Sequence, residues 1–188
     1  MIRELGPLEA RLRHECCARV VEAANNAFGP TFTGAILKGS ALKGDFYPLF
    51  SDIDIHLLVD EEVLSAARVP RPHYALRLQE ALAGIDPAAY QANSLQIYCL
   101  GNRSPDDDWV RPFPGAYEVI SGELPRGFDQ VAPADYERKA PIDLGNSLAF
   151  LERFPSTVAD KPDASLPSMA RRMGIELKVM PFLIATVA

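Results

Sequence analysis

The stretch Asp52-Ile53-Asp54-Ile55-His56-Leu57-Leu58-Val59 constrains the fold more than any other part of the chain. It alternates polar and apolar residues and then becomes wholly apolar, the period of a β-strand with one special face. Strand side chains alternate, so Ile53 and Ile55 face a core while Asp52, Asp54 and His56 share the other side, the two carboxylates about 6.6 Å apart along the chain. Two anions placed together cost free energy unless a cation neutralises them. Oxygen-only ligands on a rigid strand suit Mg²⁺ better than zinc. The plainer alternative is Asp52 capping a turn and Asp54 paired with a surface lysine on an exposed strand face.

The neighbouring segments place this strand in a sheet. Leu8, Leu12, Cys16, Val20 and Ala23 recur at helical spacing and predict an amphipathic helix over residues 8–28, closed by Gly29-Pro30. The apolar run Gly34-Ala35-Ile36-Leu37 predicts a buried strand that ends in a turn at Lys38-Gly39-Ser40. Residues 41–51, with Gly44 and Pro48, predict a short helix and loop. Downstream, the spacing predicts a helix over 73–83, and Leu95-Gln96-Ile97-Tyr98-Cys99-Leu100 has strand composition. Residues 101–115 predict a surface loop and 116–120 a short strand, followed by helices over 134–154 and 165–187 with a linker over 155–162. The shift from mixed to helical composition puts a boundary near Gly127, dividing an α/β domain over residues 1–127 from a helical segment over 128–188.

Composition narrows the partners. A chain of 188 residues with 48% hydrophobic content can bury a core large enough to need no disulfide or metal staple. The 19 Lys and Arg against 25 Asp and Glu leave a formal charge of -6, which argues against a broad surface for duplex nucleic acid. Cys16, Cys17 and Cys99 show no metal-like or redox spacing, so a reducing compartment is expected, the cytoplasm by default. The apolar end, Val179 to Ala188, falls well short of the ~20 residues that span a bilayer and contains Pro181. Such an end wants a partner, and a homodimer through the C-terminal helix is the expectation.

The turn before the acidic strand has chemistry of its own. Glycine at position 39 lets backbone N–H groups approach an anion, Ser40 adds a hydroxyl donor, and Lys38 and Lys43 flank the turn with positive charge, so a phosphate is the guest it suits. Leu37-Lys38-Gly39-Ser40, an eleven-residue spacer and Asp52-Ile53-Asp54-Ile55 together resemble the nucleotidyltransferase signature of the DNA polymerase beta superfamily. The layout is similar to that of small bacterial aminoglycoside adenylyltransferases. The resemblance implies a nucleotidyltransferase-like α/β fold, a small mixed sheet flanked by helices with a helical C-terminal segment. It implies that Gly39 and Ser40 hold nucleotide phosphates and that Asp52 and Asp54 bind Mg²⁺. The implied reaction moves a nucleoside monophosphate, AMP in first place, from an NTP to a hydroxyl of a small-molecule acceptor such as an aminoglycoside. A protein hydroxyl, as in modifying enzymes of toxin-antitoxin systems, and a catalytically silent nucleotide-binding or interaction module are the rival readings.

The sequence departs from the family in one place. Relatives commonly present a third carboxylate on a later strand, and the matching position here is Gln96, whose amide is no base and a weaker Mg²⁺ ligand. Glu118 is the first substitute, with His56 and Glu123 behind it. His14 and His73 stand on helices without ligand partners at useful spacing. Trp109, beside Asp106, Asp107 and Asp108, could stack on a substrate at the rim of a site, and the acids there would attract a polycationic acceptor.

Overall fold

The structure, a computed structural model, describes residues 7–44, 46–102, 111–159 and 161–188. The chain divides into two compact units, one of residues up to 102 together with 111–130, the other of residues 131–188. In the first unit, α1 (Pro7–Arg11), a π-turn (Leu12–Cys16) and α2 (Cys17–Phe28) form the helical run expected over 8–28. The wider π-turn was not expected, because the apolar spacing through Leu12, Cys16 and Val20 suits a regular helix equally well. Gly29 ends the run at φ 57°, a backbone angle that L side chains rarely adopt.

Four strands follow: β1 (Phe32–Lys38), β2 (Ile53–Val59), β3 (Leu95–Gly101) and β4 (Glu118–Gly122). They make one mixed sheet in the order β3-β2-β1-β4, with β1 antiparallel to β2 and β4, and β2 parallel to β3. Between β1 and β2 lies the short α3 (Ser40–Lys43), and α4 (Pro72–Leu82) lies on the crossover from β2 to β3. A parallel pair requires such a crossover, and its register sets Ile53 opposite Leu95. The last strand starts two residues later than the strand expected over 116–120, and it carries a bulge where Ala35 pairs Ser121 but Ile36 pairs Val119.

The core lies on one face of this sheet. Ala35, Leu37, Ile53, Ile55, Leu57 and Val59 pack with Cys16, Val20, Ala24, Ala27 and Phe28 of the N-terminal helical run, all of them buried. At roughly 1.5–3 kcal/mol per large apolar side chain removed from water, this layer dominates the stability of the unit. All three cysteines are free, and burial pushes the thiols of Cys16 up to about 11 and of Cys17 and Cys99 up to about 12, so none is a ready thiolate.

The second unit is a helical hairpin of α5 (Pro133–Val158) and α6 (Leu166–Val187). The linker expected from residue 155 is instead the last turn of α5. Pro155 removes only one intrahelical bond, and the hydroxyls of Ser156 and Thr157 both donate to the Arg153 carbonyl and hold that turn. Across the hairpin, Ser147 Oγ donates to Glu176 Oε2 at 2.7 Å, and Arg172 lies over the Phe150 ring at 5.2 Å. Among the described residues, no helix is long and apolar enough to cross a membrane.

Candidate functional site

The sheet face opposite the core carries the acidic residues. Cross-strand partners share a face, so the pairs Lys38 with Asp54 and Ile36 with His56 on β1 and β2, and Asp54 with Gln96 and His56 with Tyr98 on β2 and β3, place these six side chains on one surface. Asp52, one residue before β2, joins them and is 6% exposed. Asn93 Nδ2 donates to its Oδ1 at 3.1 Å, Ser94 Oγ donates to the same oxygen at 2.7 Å, and Gln96 Nε2 donates to Oδ2 at 2.5 Å. These three donors are neutral and hold the Asp52 carboxylate in place.

Gly39 brings the turn against the second acid. Its φ of 73° lies in a region that side chains avoid, and a β-carbon added there would collide with Asp54 Oδ2. The turn and the Asp54 carboxylate therefore touch only because residue 39 is glycine. Ser40 opens α3, a single turn in which the amides of Leu42 and Lys43 donate to the Gly39 carbonyl at 3.2 Å. Lys43 is the exposed last residue of α3.

Lys38 is half-buried across from Asp54. Burial pushes its ammonium below the usual lysine range, while the charge of Asp54 pulls it back up. The charge of Lys43 adds a smaller downward push on Lys38, so two ammoniums stand near the acid pair. Among the described residues, no group of three His, Cys, Asp or Glu side chains gathers to hold a metal. Two carboxylates do suit Mg²⁺, which keeps several waters and commonly binds through one or two acids plus substrate phosphates. The donor set thus fits a Mg²⁺ that arrives with a nucleotide.

The substitutes for a third carboxylate fare differently. Glu118, first choice from the sequence, pairs with Leu37 across β1 and β4 and therefore lies on the core face, where it forms an ion pair with Arg13 of the π-turn. It does not meet Asp52 or Asp54. The strand expected over 116–120 left the face of Glu118 open, and the structure sets it by starting β4 at Glu118 itself. Glu123 follows β4 at the Thr33 end of β1, about 16 Å of strand away from Lys38 at 3.3 Å per residue. His56 is on the acidic face, but burial first, and the charge of Lys38 second, push its imidazole down to about 3. An imidazole so reluctant to take a proton is a poor general base near neutrality.

Gln96 occupies the place expected of it, in register with Asp54 and touching Asp52. Its amide is turned with Nε2 toward Asp52 and Oε1 accepting from the Tyr98 hydroxyl at 3.1 Å. Three residues of this surface escaped the sequence reading. Asn93 and Ser94 become legible once β2 and β3 are taken as parallel, since the residues before the two strands then lie side by side. Tyr98 follows from alternation alone, two residues beyond Gln96. Trp109, Asp106, Asp107 and Asp108 lie outside the described residues.

No known protein-family model matches the chain, and no curated protein does. The chain is similar to a solved structure of a toxin-antitoxin with AMP-PNP, at 17% identity and a TM-score of 0.36, over 73% of this chain and 91% of that one.

Proposed function

We propose that the chain binds a Mg-nucleotide, ATP in first place, and transfers its nucleoside monophosphate to a hydroxyl of a small acceptor, with release of pyrophosphate. The observation that carries this reading is the meeting of Asp52 and Asp54 on one sheet face with the Gly39 turn pressed against Asp54 and Lys38 across from it. In the proposed complex Asp52 and Asp54 hold Mg²⁺, while Ser40 and the amides that follow Gly39 orient the tail phosphates, with Lys38 and Lys43 adding positive charge. Bound there, Mg²⁺ supplies charge neutralisation at the phosphoryl group. Asn93, Ser94 and Gln96 fix the Asp52 carboxylate before substrate arrives, so its placement costs nothing at the moment of reaction. Glu118 drops out of the proposed machinery.

The amide at Gln96 favours a second reading, a nucleotide-binding module without turnover, because Gln96 offers Asp52 a donor where a base would stand. Pyrophosphate release from Mg-ATP, measured with aminoglycosides and other polyamine alcohols as acceptors, separates the two. Acceptor-dependent release that Asp54→Asn abolishes is the expected outcome. Tight nucleotide binding with no release under any acceptor would replace transfer by the module reading.

For a protein partner we propose a second copy meeting along α6, where Val179, Phe182, Ile184 and Val187 remain exposed. Sedimentation should show a concentration-dependent dimer that Phe182→Glu dissociates; a monomer at every concentration contradicts it.

A further inference from the structure

The acidic face carries a hydroxyl of its own. Tyr98 stands two residues beyond Gln96 on β3, and its phenol reaches back along the strand to donate to Gln96 Oε1, one residue removed from Asp52. The ring is held from the side by His56, with centroids 5.1 Å apart and planes at 62°. Even so the residue is 50% exposed, so an incoming molecule can meet it. A hydroxyl whose ring and O–H are both already oriented has little freedom to lose on reacting.

Ser40 and Ser94 also bring hydroxyls to this site, and in the proposed complex Ser40 is taken up by the tail phosphates. Ser94 Oγ is committed to Asp52 Oδ1 at 2.7 Å, on the carboxylate proposed to hold the metal, and alkanols ionise far less readily than phenols. Position, exposure and chemistry therefore single out Tyr98.

We propose that the chain modifies itself: with Mg-ATP bound and no better acceptor present, Tyr98 receives the adenylyl group. This rests on the nucleotidyl-transfer reading above and adds an acceptor to it. The bond formed is Tyr98 Oη to the α-phosphorus, and the bond broken joins the α-phosphorus to the oxygen bridging to the β-phosphate. Pyrophosphate leaves with the bonding pair, the phenolic proton passes to water at the exposed side, and nothing is oxidised or reduced. The product is a tyrosyl phosphodiester that fills the acceptor position and blocks further turnover.

The test incubates the full chain with Mg-ATP and no added acceptor, then reads intact mass and locates any adduct by peptide fragmentation. ATP binding is followed on the same preparations by calorimetry. The expected result is one adenylyl group on Tyr98, absent from Tyr98→Phe although that variant still binds ATP, and retained by Tyr47→Phe, which alters an exposed phenol before β2. An adduct on Ser94 or elsewhere, an adduct that persists in Tyr98→Phe, or none in a chain that binds Mg-ATP would overturn self-modification and leave the nucleotide site standing. Failure to bind Mg-ATP at all would overturn both.

Discussion

Asp52 accepts from Asn93, Ser94 and Gln96, and this neutral cradle makes Gln96 the most informative single position in the chain. Gln96→Glu removes a donor from Asp52 and sets a third anion in register with Asp54. Losing one partner of a part-buried carboxylate costs about 1–3 kcal/mol, which at this chain length lowers the melting temperature by roughly 2–12 °C. Mg²⁺ should restore much of that loss, and pyrophosphate release should rise on the order of tenfold or more as a base becomes available. A variant whose melting ignores Mg²⁺ would contradict a metal site on this face. His56 gives a second residue-level prediction. Its folded pKa of about 3 lies below the unfolded 6.5, so the unfolded chain binds more protons between those values and stability falls as pH drops through that window. The slope is about 1.4 kcal/mol per pH unit, and denaturant titrations from pH 7 to pH 4 should show it in the unmodified chain and lose it in His56→Leu. An equal slope in both would mean that His56 is not held neutral by burial.

At the scale of elements, the ion pair between Arg13 and Glu118 ties the π-turn to β4 on the core face. Glu118 is partly exposed, so the pair contributes no more than about 1 kcal/mol after solvent screening. Glu118→Gln should therefore lower the melting temperature slightly and leave nucleotide affinity unchanged. Loss of ATP binding in that variant would return Glu118 to the site. This residue also shows where sequence patterning stops. The period of two in β2 announced that Asp52, Asp54 and His56 share a face, because an apolar strand with regular acids admits few other arrangements. Gln96 could be placed by the same alternation in β3. For Glu118 the face depends on where a five-residue edge strand begins and on a bulge beside it, neither of which leaves a mark in hydrophobicity. The π-turn and Pro155 were hidden for a related reason, since local hydrogen bonding and packing override the usual reading of helix spacing and proline.

For the whole molecule, the proposed site lies in the α/β unit, whose mixed sheet packs an apolar layer with the N-terminal helices on one face and carries Lys38, Asp54 and Gln96 on the other. The helical hairpin adds a groove of about 510 Å³ between α5 and α6, lined by Ala140, Ile175, Val179 and Phe182 with Lys139 and Glu176 among them. The α/β layout was readable because helix and strand periods differ and alternate along the chain. The parallel pairing of β2 with β3, which brings Asn93 and Ser94 to Asp52, depends on a crossover of some thirty-five residues that no local pattern reveals. The acid pair and the glycine turn are proposed to form one Mg-nucleotide site. Calorimetric titration of the unmodified chain, Asp52→Asn and Asp54→Asn with a non-hydrolysable ATP, each with and without Mg²⁺, tests it most directly. Binding should require Mg²⁺ and be lost in both variants, whereas binding indifferent to metal and to both substitutions, or none at all, would rule the site out.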